Sequence, residues 1–262
     1  MKADKREPVA VNGDFNPCIV IPYYRHELAI ADLLARLRGF GLPCWIVDDG
    51  SGGEAAEAVA RLAAEQSEWL KLIVLPVNCG KGVAVRAGCA AAAAAGHTHA
   101  VQIDADGQHD ATDLPRLLAA AQDDLKAVVT GVPSYDDSIP AIRYYGRYLT
   151  HMLVWLHTLS FDLADTMCGF RVYPLPATLR LWARESVGQR MDFDTEILVR
   201  LYWSGVRVVN VPTRVTYPSD GVSHFRYLRD NLRMVWLHVR LFGGMLRRAL
   251  CGRGFRQSHP SR

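Results

Sequence analysis

The chain has 262 residues, of which 50% are hydrophobic and 22% charged. With a mean hydropathy of +0.01, this composition excludes a disordered or collagen-like chain and suits one large α/β domain. No stretch approaches the roughly 18–20 apolar residues that a membrane-spanning helix needs. The first residues, MKADKREPVAVNGDF, are too polar for a secretory leader. Six cysteines (18, 44, 79, 89, 168, 251) form no CxxC pair, which points to reduced thiols in the cytosol and to no zinc site. The net charge of +3 is uneven. From Asp220 onward nine Arg face only Asp220 and Asp230, a local +7 that leaves −4 for residues 1–219. A basic tail on an acidic body suits an anionic surface as partner.

In chain order, Cys18-Ile19-Val20-Ile21-Pro22 reads as a buried strand, followed by a helix over 27–39 with Ile30, Leu33, Leu34 and Leu37 on one face. Cys44-Trp45-Ile46-Val47 is a second strand, leading through the turn Asp48-Asp49-Gly50-Ser51-Gly52-Gly53 into a helix over 54–66. A third strand spans 72–75. An Ala-dominated helix over 82–96 closes at Gly96 and packs tightly on a sheet. Strands follow at 100–103 and 127–130. The second half reads as an aromatic, basic helix over 143–161, an acidic helix around 192–202, a strand over 206–211 and a long amphipathic helix over 224–250. Strands alternating with helices predict a doubly wound, mostly parallel α/β sheet, whose ligands lie outside the carboxyl ends of the strands. The polar clusters fall at those ends: Pro22-Tyr23-Tyr24, Asp48-Asp49, Asn78-Cys79-Gly80-Lys81 and Asp104-Ala105-Asp106.

Each cluster has a chemistry. Asp104 and Asp106, two apart where a strand turns, can face one hard divalent cation, and Gln108 can add a neutral oxygen; oxygen ligands suit Mg²⁺ or Mn²⁺. Asp48-Asp49 can accept from a base edge or ribose hydroxyls, or can form an Asx turn and helix cap. Lys81 beside two glycines at a helix N-terminus favours an anion, although GxxxxGK[ST] is absent. Met167 and Cys168 read as core, as do Trp155, Trp182, Trp203 and Trp236. His97, His99, His151 and His157 read as packing or surface residues without carboxylate partners.

The ordered series Ile21-Pro22-Tyr23-Tyr24, Val47-Asp48-Asp49-Gly50-Ser51, Asn78-x-Gly80-Lys81-Gly82, Asp104-Ala105-Asp106-x-Gln108-His109, Asp165-x5-Arg171 and Asp192-Phe193-Asp194-Thr195-Glu196 resembles family 2 glycosyltransferases of the GT-A fold. The branch it is most similar to is the dolichyl- or polyprenyl-phosphate sugar transferases. The resemblance implies an inverting transfer from a nucleotide-diphosphate sugar to a membrane-associated acceptor, a polyprenyl phosphate. It places Pro22, Tyr24, Asp48, Asp49, Lys81 and Asp104 at the nucleotide sugar. Asp104, Asp106 and Gln108 would hold Mg²⁺ or Mn²⁺, with Asp106 central to catalysis. Arg143, Arg147 and Arg226 would receive phosphate or acceptor. Where relatives read Pro-x-Tyr-Asn-Glu, this chain has Pro22-Tyr23-Tyr24-Arg25-His26-Glu27; Ser223-His224-Phe225-Arg226 stands in place of Ser-Lys-Leu-Gly.

A phosphate acceptor is already an anion and needs no base. A hydroxyl of a glycolipid or other lipid-linked acceptor would need one, for which Asp194 or Asp192 is the candidate. A nucleotidyltransferase would leave the series from 165 to 196 without a role. A nucleic-acid module would need aromatic and basic residues interleaved on a groove; no nucleic-acid partner is expected. A silent nucleotide-sugar binder would not need both acids at 104 and 106. On a helical wheel of about 100° per residue, Phe225, Leu228, Leu232, Val235, Val239, Phe242 and Leu246 share one stripe, and Arg226, Arg229, Arg233, Arg240 and Arg247 another. Such a helix suits the interface of an anionic membrane, on its cytoplasmic face, or packing against protein. The expected organisation is a flexible N-terminus (1–16), a GT-A domain (17–222), the basic amphipathic helix (223–250) and a disordered basic tail (251–262).

Overall fold

The computed structural model describes residues 13–135, 141–216 and 227–252, with the backbone alone at 135, 141–145 and 227–228. Strands β1 (Pro17–Tyr23), β2 (Cys44–Asp48), β3 (Leu70–Val74) and β4 (His99–Gln102) alternate with helices α1 (Glu27–Arg38), α2 (Gly53–Glu65) and α3 (Lys81–Ala94). Then come α4 (Leu114–Asp123), β5 (Val128–Tyr135), α5 (Ala141–Thr158), β6 (Arg171–Pro174), α6 (Leu175–Arg184), α7 (Phe193–Trp203), β7 (Val208–Val215) and α8 (Tyr227–Leu250). The sheet runs β3-β2-β1-β4-β6-β5-β7. β1 is parallel to β2 and β4, β2 to β3, and β5 to β7, whereas β6 is antiparallel to both β4 and β5.

Helices cover both faces, so the central strands are apolar on both sides. In β1, Ile19, Ile21 and Tyr23 enter the core beneath α1 and α4, while Cys18 and Val20 enter the core shared with α3, α6, α7 and α8. This is the period-2 alternation of a strand. The Ala-rich α3 packs close on the sheet because Gly88 leaves room there; a Cβ at that position would meet Val20 and Val47. Gly96, just past the helix end, adopts φ +87, a conformation that favours glycine.

Three elements were not foreseen from the sequence. α4 and α6 are ten residues each, with a proline in the first turn. β6 has only four residues, all buried, too few for periodicity to register. β7 starts two residues later than expected and runs through Pro212, which an edge strand tolerates. β6 matters most for the site. Its antiparallel register sets Arg171 opposite Gln102 of β4 and opposite Thr130 of β5. The loop entering β6 therefore arrives over the carboxyl end of β4.

Candidate active site

The carboxyl ends of the parallel strands β1, β2, β3 and β4 share one edge. Asp104 lies two residues past β4. Its Oδ2 accepts from Lys81 Nζ at 2.8 Å, and the same ammonium donates to Asp194 Oδ2 at 2.5 Å. Gln102 donates to Asp194 Oδ1 at 3.0 Å and accepts from the Tyr173 hydroxyl at 3.0 Å. Burial works against the Lys81 charge, but Asp104 and Asp194 more than offset it and hold the ammonium above the usual lysine range. Burial also works against the Asp104 carboxylate; Lys81, then His109, overcome it and bring that group below its ordinary value. Asp194 is positioned by its backbone as well, since its carbonyl accepts from the fully buried Arg171, which also donates to Thr166 O and Thr130 Oγ1.

A cavity of about 80 Å³ opens at this edge, lined by Asp104, Asp106, Gln108, His109, Arg147, Met167, Cys168 and Gly169 among others. Asp106 Oδ1 accepts from the Gln108 N–H at 3.1 Å. The loop carrying these residues is stitched to β7: Thr216 N–H donates to Gln108 O at 3.0 Å, Asp110 N–H to Arg214 O at 3.2 Å, and Arg214 N–H to Asp113 Oδ2 at 2.7 Å. On the other wall, Gly169 touches Asp104 so closely that a Cβ there would overlap its carboxylate. Arg147 reaches the cavity from α5, with its Nε and Nη2 donating to Asp165 at 2.5 and 2.7 Å.

This cavity brings Asp104, Asp106, Gln108 and Arg147 together, and adds Met167, half-buried, and Cys168, which is core as the sequence suggested. It does not include Asp192 or Asp194. Asp192 accepts from Arg240 of α8 at 2.9 Å, and the same guanidinium donates to Glu196 at 2.6 Å. As general bases, both acids are engaged by cations. His151 also departs from expectation: its Nε2 lies 3.2 Å from Asp165 Oδ2. The side chain of Arg143, and Arg226 altogether, lie outside the described residues.

On the β1–β2 side, Asp48 Oδ1 accepts from the Ser51 N–H, three residues on, at 3.0 Å, while its buried Oδ2 has no protein partner. Asp49 spends both oxygens on backbone, accepting from Cys79 N–H at 2.7 Å and Gly80 N–H at 2.8 Å. It thus ties the end of β2 to the turn that starts α3, and burial keeps its carboxyl above the ordinary range despite those bonds. The helix cap of α2 is Gly52, without a side-chain bond. Pro22 and Tyr24 are half-buried at the same edge, and the Arg25 guanidinium lies 5.2 Å from the Tyr24 ring centroid.

Could these residues hold a divalent cation? The donors at the cavity are hard oxygens, two carboxylates and an amide, which suit Mg²⁺ or Mn²⁺. The His109 Nδ1 is buried in the wall without a partner, and burial lowers the imidazole's pKa although Asp104 and Asp106 work the other way. Among the described residues no group of three or more His, Cys, Asp or Glu side chains has metal-holding geometry. A fit therefore rests on Asp104 and Asp106 with Gln108.

Beside the site, α5 and α8 expose apolar side chains. Tyr148, Leu149, Met152 and Leu156 of α5, and Phe161 after it, face outward; so do Leu232, Val235, Val239, Phe242 and Leu246 of α8. Trp236, expected in the core, is 59% exposed. Leu237 and Leu241 of α8 point inward instead. Between the two helices His157 Nε2 and His238 Nδ1 sit 3.2 Å apart. No helix among the described residues is long and apolar enough to cross a membrane.

The doubly wound sheet is of the GT-A type, and its carboxyl edge gathers an Asp-x-Asp, a lysine and an arginine. Solved structures agree on the fold: a mannosyltransferase from Pyrobaculum calidifontis, solved with GDP-Man and Mn²⁺, superposes with a TM-score of 0.60 at 17% identity, covering 93% of this chain and 68% of that one. The family model for glycosyl transferase family 2 matches residues 18–179, and the chain belongs to that family; it is a glycosyltransferase. It is 28% identical over 189 residues to a dolichyl-phosphate beta-glucosyltransferase of Trichomonas vaginalis, covering 67% of this chain and 53% of the relative. It is 30% identical over 164 residues to an undecaprenyl-phosphate 4-deoxy-4-formamido-L-arabinose transferase of Shewanella sediminis, covering 59% of this chain and 47% of the relative. The chain thus spans about half the length of these two relatives.

Proposed function

We propose that the chain transfers a sugar, with inversion, from a nucleotide-diphosphate sugar to a polyprenyl phosphate at the cytoplasmic face of a membrane, using Mg²⁺ or Mn²⁺. The observation that carries this reading is the shared cavity, in which Asp104, Asp106 and Gln108 meet the Arg147 guanidinium. Asp104, Asp106 and Gln108 would hold the cation, which when bound supplies positive charge to the departing diphosphate. Pro22, Tyr24 and Asp48 line the nucleoside end of the edge. Asp49 supports it from behind by fixing the turn before Lys81. Lys81 keeps Asp104 ionised and holds Asp194 beside it. Arg147 receives the acceptor phosphate as a fork of N–H donors, and Arg143 and Arg226 are further candidates for that task.

The engagement of Asp192 by Arg240 and of Asp194 by Lys81 supports a phosphate acceptor over a hydroxyl one. A phosphate oxygen attacks as an anion without giving up a proton, whereas a hydroxyl needs an unoccupied base within reach. The exposed apolar faces of α5 and α8, with Arg229 and Arg247 exposed on α8, support residence at a lipid interface. The test is transfer from a panel of labelled UDP- and GDP-sugars to farnesyl phosphate and to farnesol with Mn²⁺. One donor should label the phosphate and leave the alcohol unlabelled; labelling of the alcohol alone would overturn the acceptor assignment.

A further inference from the structure

Arg147 reaches the cavity from α5, a helix whose other outward residues are largely apolar, and a lone guanidinium beside Asp104 and Asp106 would be drawn onto those carboxylates. In the structure Asp165 engages it instead. The carboxylate takes Arg147 side-on through Nε and Nη2 at 2.5 and 2.7 Å, a two-point hold that fixes the plane of the guanidinium as well as its place. It is 3% exposed as a side chain and sits in the loop leading to β6. The same carboxylate accepts from the N–H groups of Met167 at 2.8 Å and Cys168 at 2.9 Å, and both residues line the cavity. His151, one helical turn beyond Arg147, brings its Nε2 to 3.2 Å from Asp165 Oδ2. Burial opposes the Asp165 charge, yet Arg147 and then His151 drive its carboxyl well below the ordinary carboxylate range.

We infer that Asp165, backed by His151, is a positioning residue that holds Arg147 turned toward the acceptor phosphate and away from the Asp104 and Asp106 carboxylates. This rests on the reading of Arg147 as the phosphate receiver. Asp165→Asn breaks the two-point hold while keeping the backbone bonds. Its amide oxygen still accepts from the Met167 and Cys168 N–H groups and from Arg147 Nη2, but its NH₂ meets the Arg147 Nε–H, so the plane of the guanidinium is no longer fixed. His151→Leu and His151→Gln form a second pair, apolar against hydrogen-bonding.

The experiment measures the binding of farnesyl phosphate and of farnesol to the full chain, and reads the ratio of the two dissociation constants, which isolates the phosphate contribution. Melting temperatures are recorded alongside. Arg147→Ala and Asp165→Asn should each cut the ratio about tenfold, and the double variant should lose no more than either alone, since two residues acting through one contact are not additive. His151→Leu should cut it about threefold, with His151→Gln restoring most of the loss. An equal further loss from Asp165→Asn in the Arg147→Ala background would overturn the inference. So would an unchanged ratio in Asp165→Asn while Arg147→Ala lowers it, and the phosphate reading would then stand. A wild-type ratio near one would sink the phosphate reading and the inference with it. If Asp165→Asn does not fold, the His151 pair in the presence and absence of Arg147 decides by the same criteria.

Discussion

The two halves of the sheet build their polar sites by different means. In the half formed by β1 to β4, Asp48 and Asp49 answer to backbone: Asp48 caps its own turn at Ser51, and Asp49 ties two N–H groups of the next loop. Toward the half containing β6, charges answer to each other across the chain. Lys81 meets Asp194, 113 residues away, and Arg240 of α8 meets Asp192, 48 residues away. The backbone-held acids contrast with an ion-pair network in which removing one partner leaves another charge unsatisfied.

That contrast can be broken by substitution. Asp106→Ala, which removes a carboxylate from the cavity, should cut transfer about 10³-fold, roughly 4 kcal/mol of transition-state stabilisation, with little change in melting temperature. A loss under tenfold, measured as kcat/KM, would remove Asp106 from the chemistry. Lys81→Met should destabilise the fold by about 3 kcal/mol in urea titration, because Asp104 and Asp194 would then be like charges without their shared cation. Asp49→Asn should cost less, about 1–2 kcal/mol, since an amide oxygen can keep one of the two N–H bonds. Equal losses in Lys81→Met and Asp49→Asn would erase the distinction between ion-paired and backbone-held acids.

Acid should act on the second half as well. Burial, and then the facing His238, press the His157 pKa down to about 4 from an ordinary 6.5. The unfolded chain therefore binds a proton that the folded one refuses, and stability falls as pH drops from 6.5 toward 4. The loss should reach about 2 kcal/mol and vanish in His157→Leu, as read from urea midpoints across that range. Asp165 behaves in the same sense lower down: its depressed carboxyl adds stability above its ordinary value of 3.8 that is lost as pH falls below it. The smallest effect belongs to the exposed α8 face. Trp236→Glu should change stability by less than about 0.5 kcal/mol, yet abolish sedimentation with anionic liposomes; retained sedimentation would assign that face to something other than lipid.

The same contrast explains what could be read before folding. β1 to β4 and the clusters at their ends were legible because alternation and turn chemistry are local: Ile19 and Ile21 against Cys18 and Val20, or Asp48 three residues from Ser51. The doubly wound sheet followed from those patterns, and the GT-A assignment from the order of the motifs. β6 escaped because four residues carry no periodicity, and with it went the reason that the loop around Asp165 reaches Asp104. His151 was dismissed for want of a carboxylate, although its partner lay fourteen residues on, past the end of its own helix. Asp192 was a reasonable base by position alone; only the return of α8 across α7 shows Arg240 holding it. Trp236 was assigned to the core by residue type, but the helix turns Leu237 and Leu241 inward instead.

The central claim is that the cavity acids hold a divalent cation against a nucleoside diphosphate. Electron paramagnetic resonance of free Mn²⁺, titrated with the full chain in the presence of UDP or GDP, tests it most directly. The account predicts that wild-type protein with one of the two nucleotides removes the free-ion signal stoichiometrically and that Asp106→Ala does not. Equal depletion by the Asp106→Ala variant, or none by the wild type with either nucleotide, would contradict it.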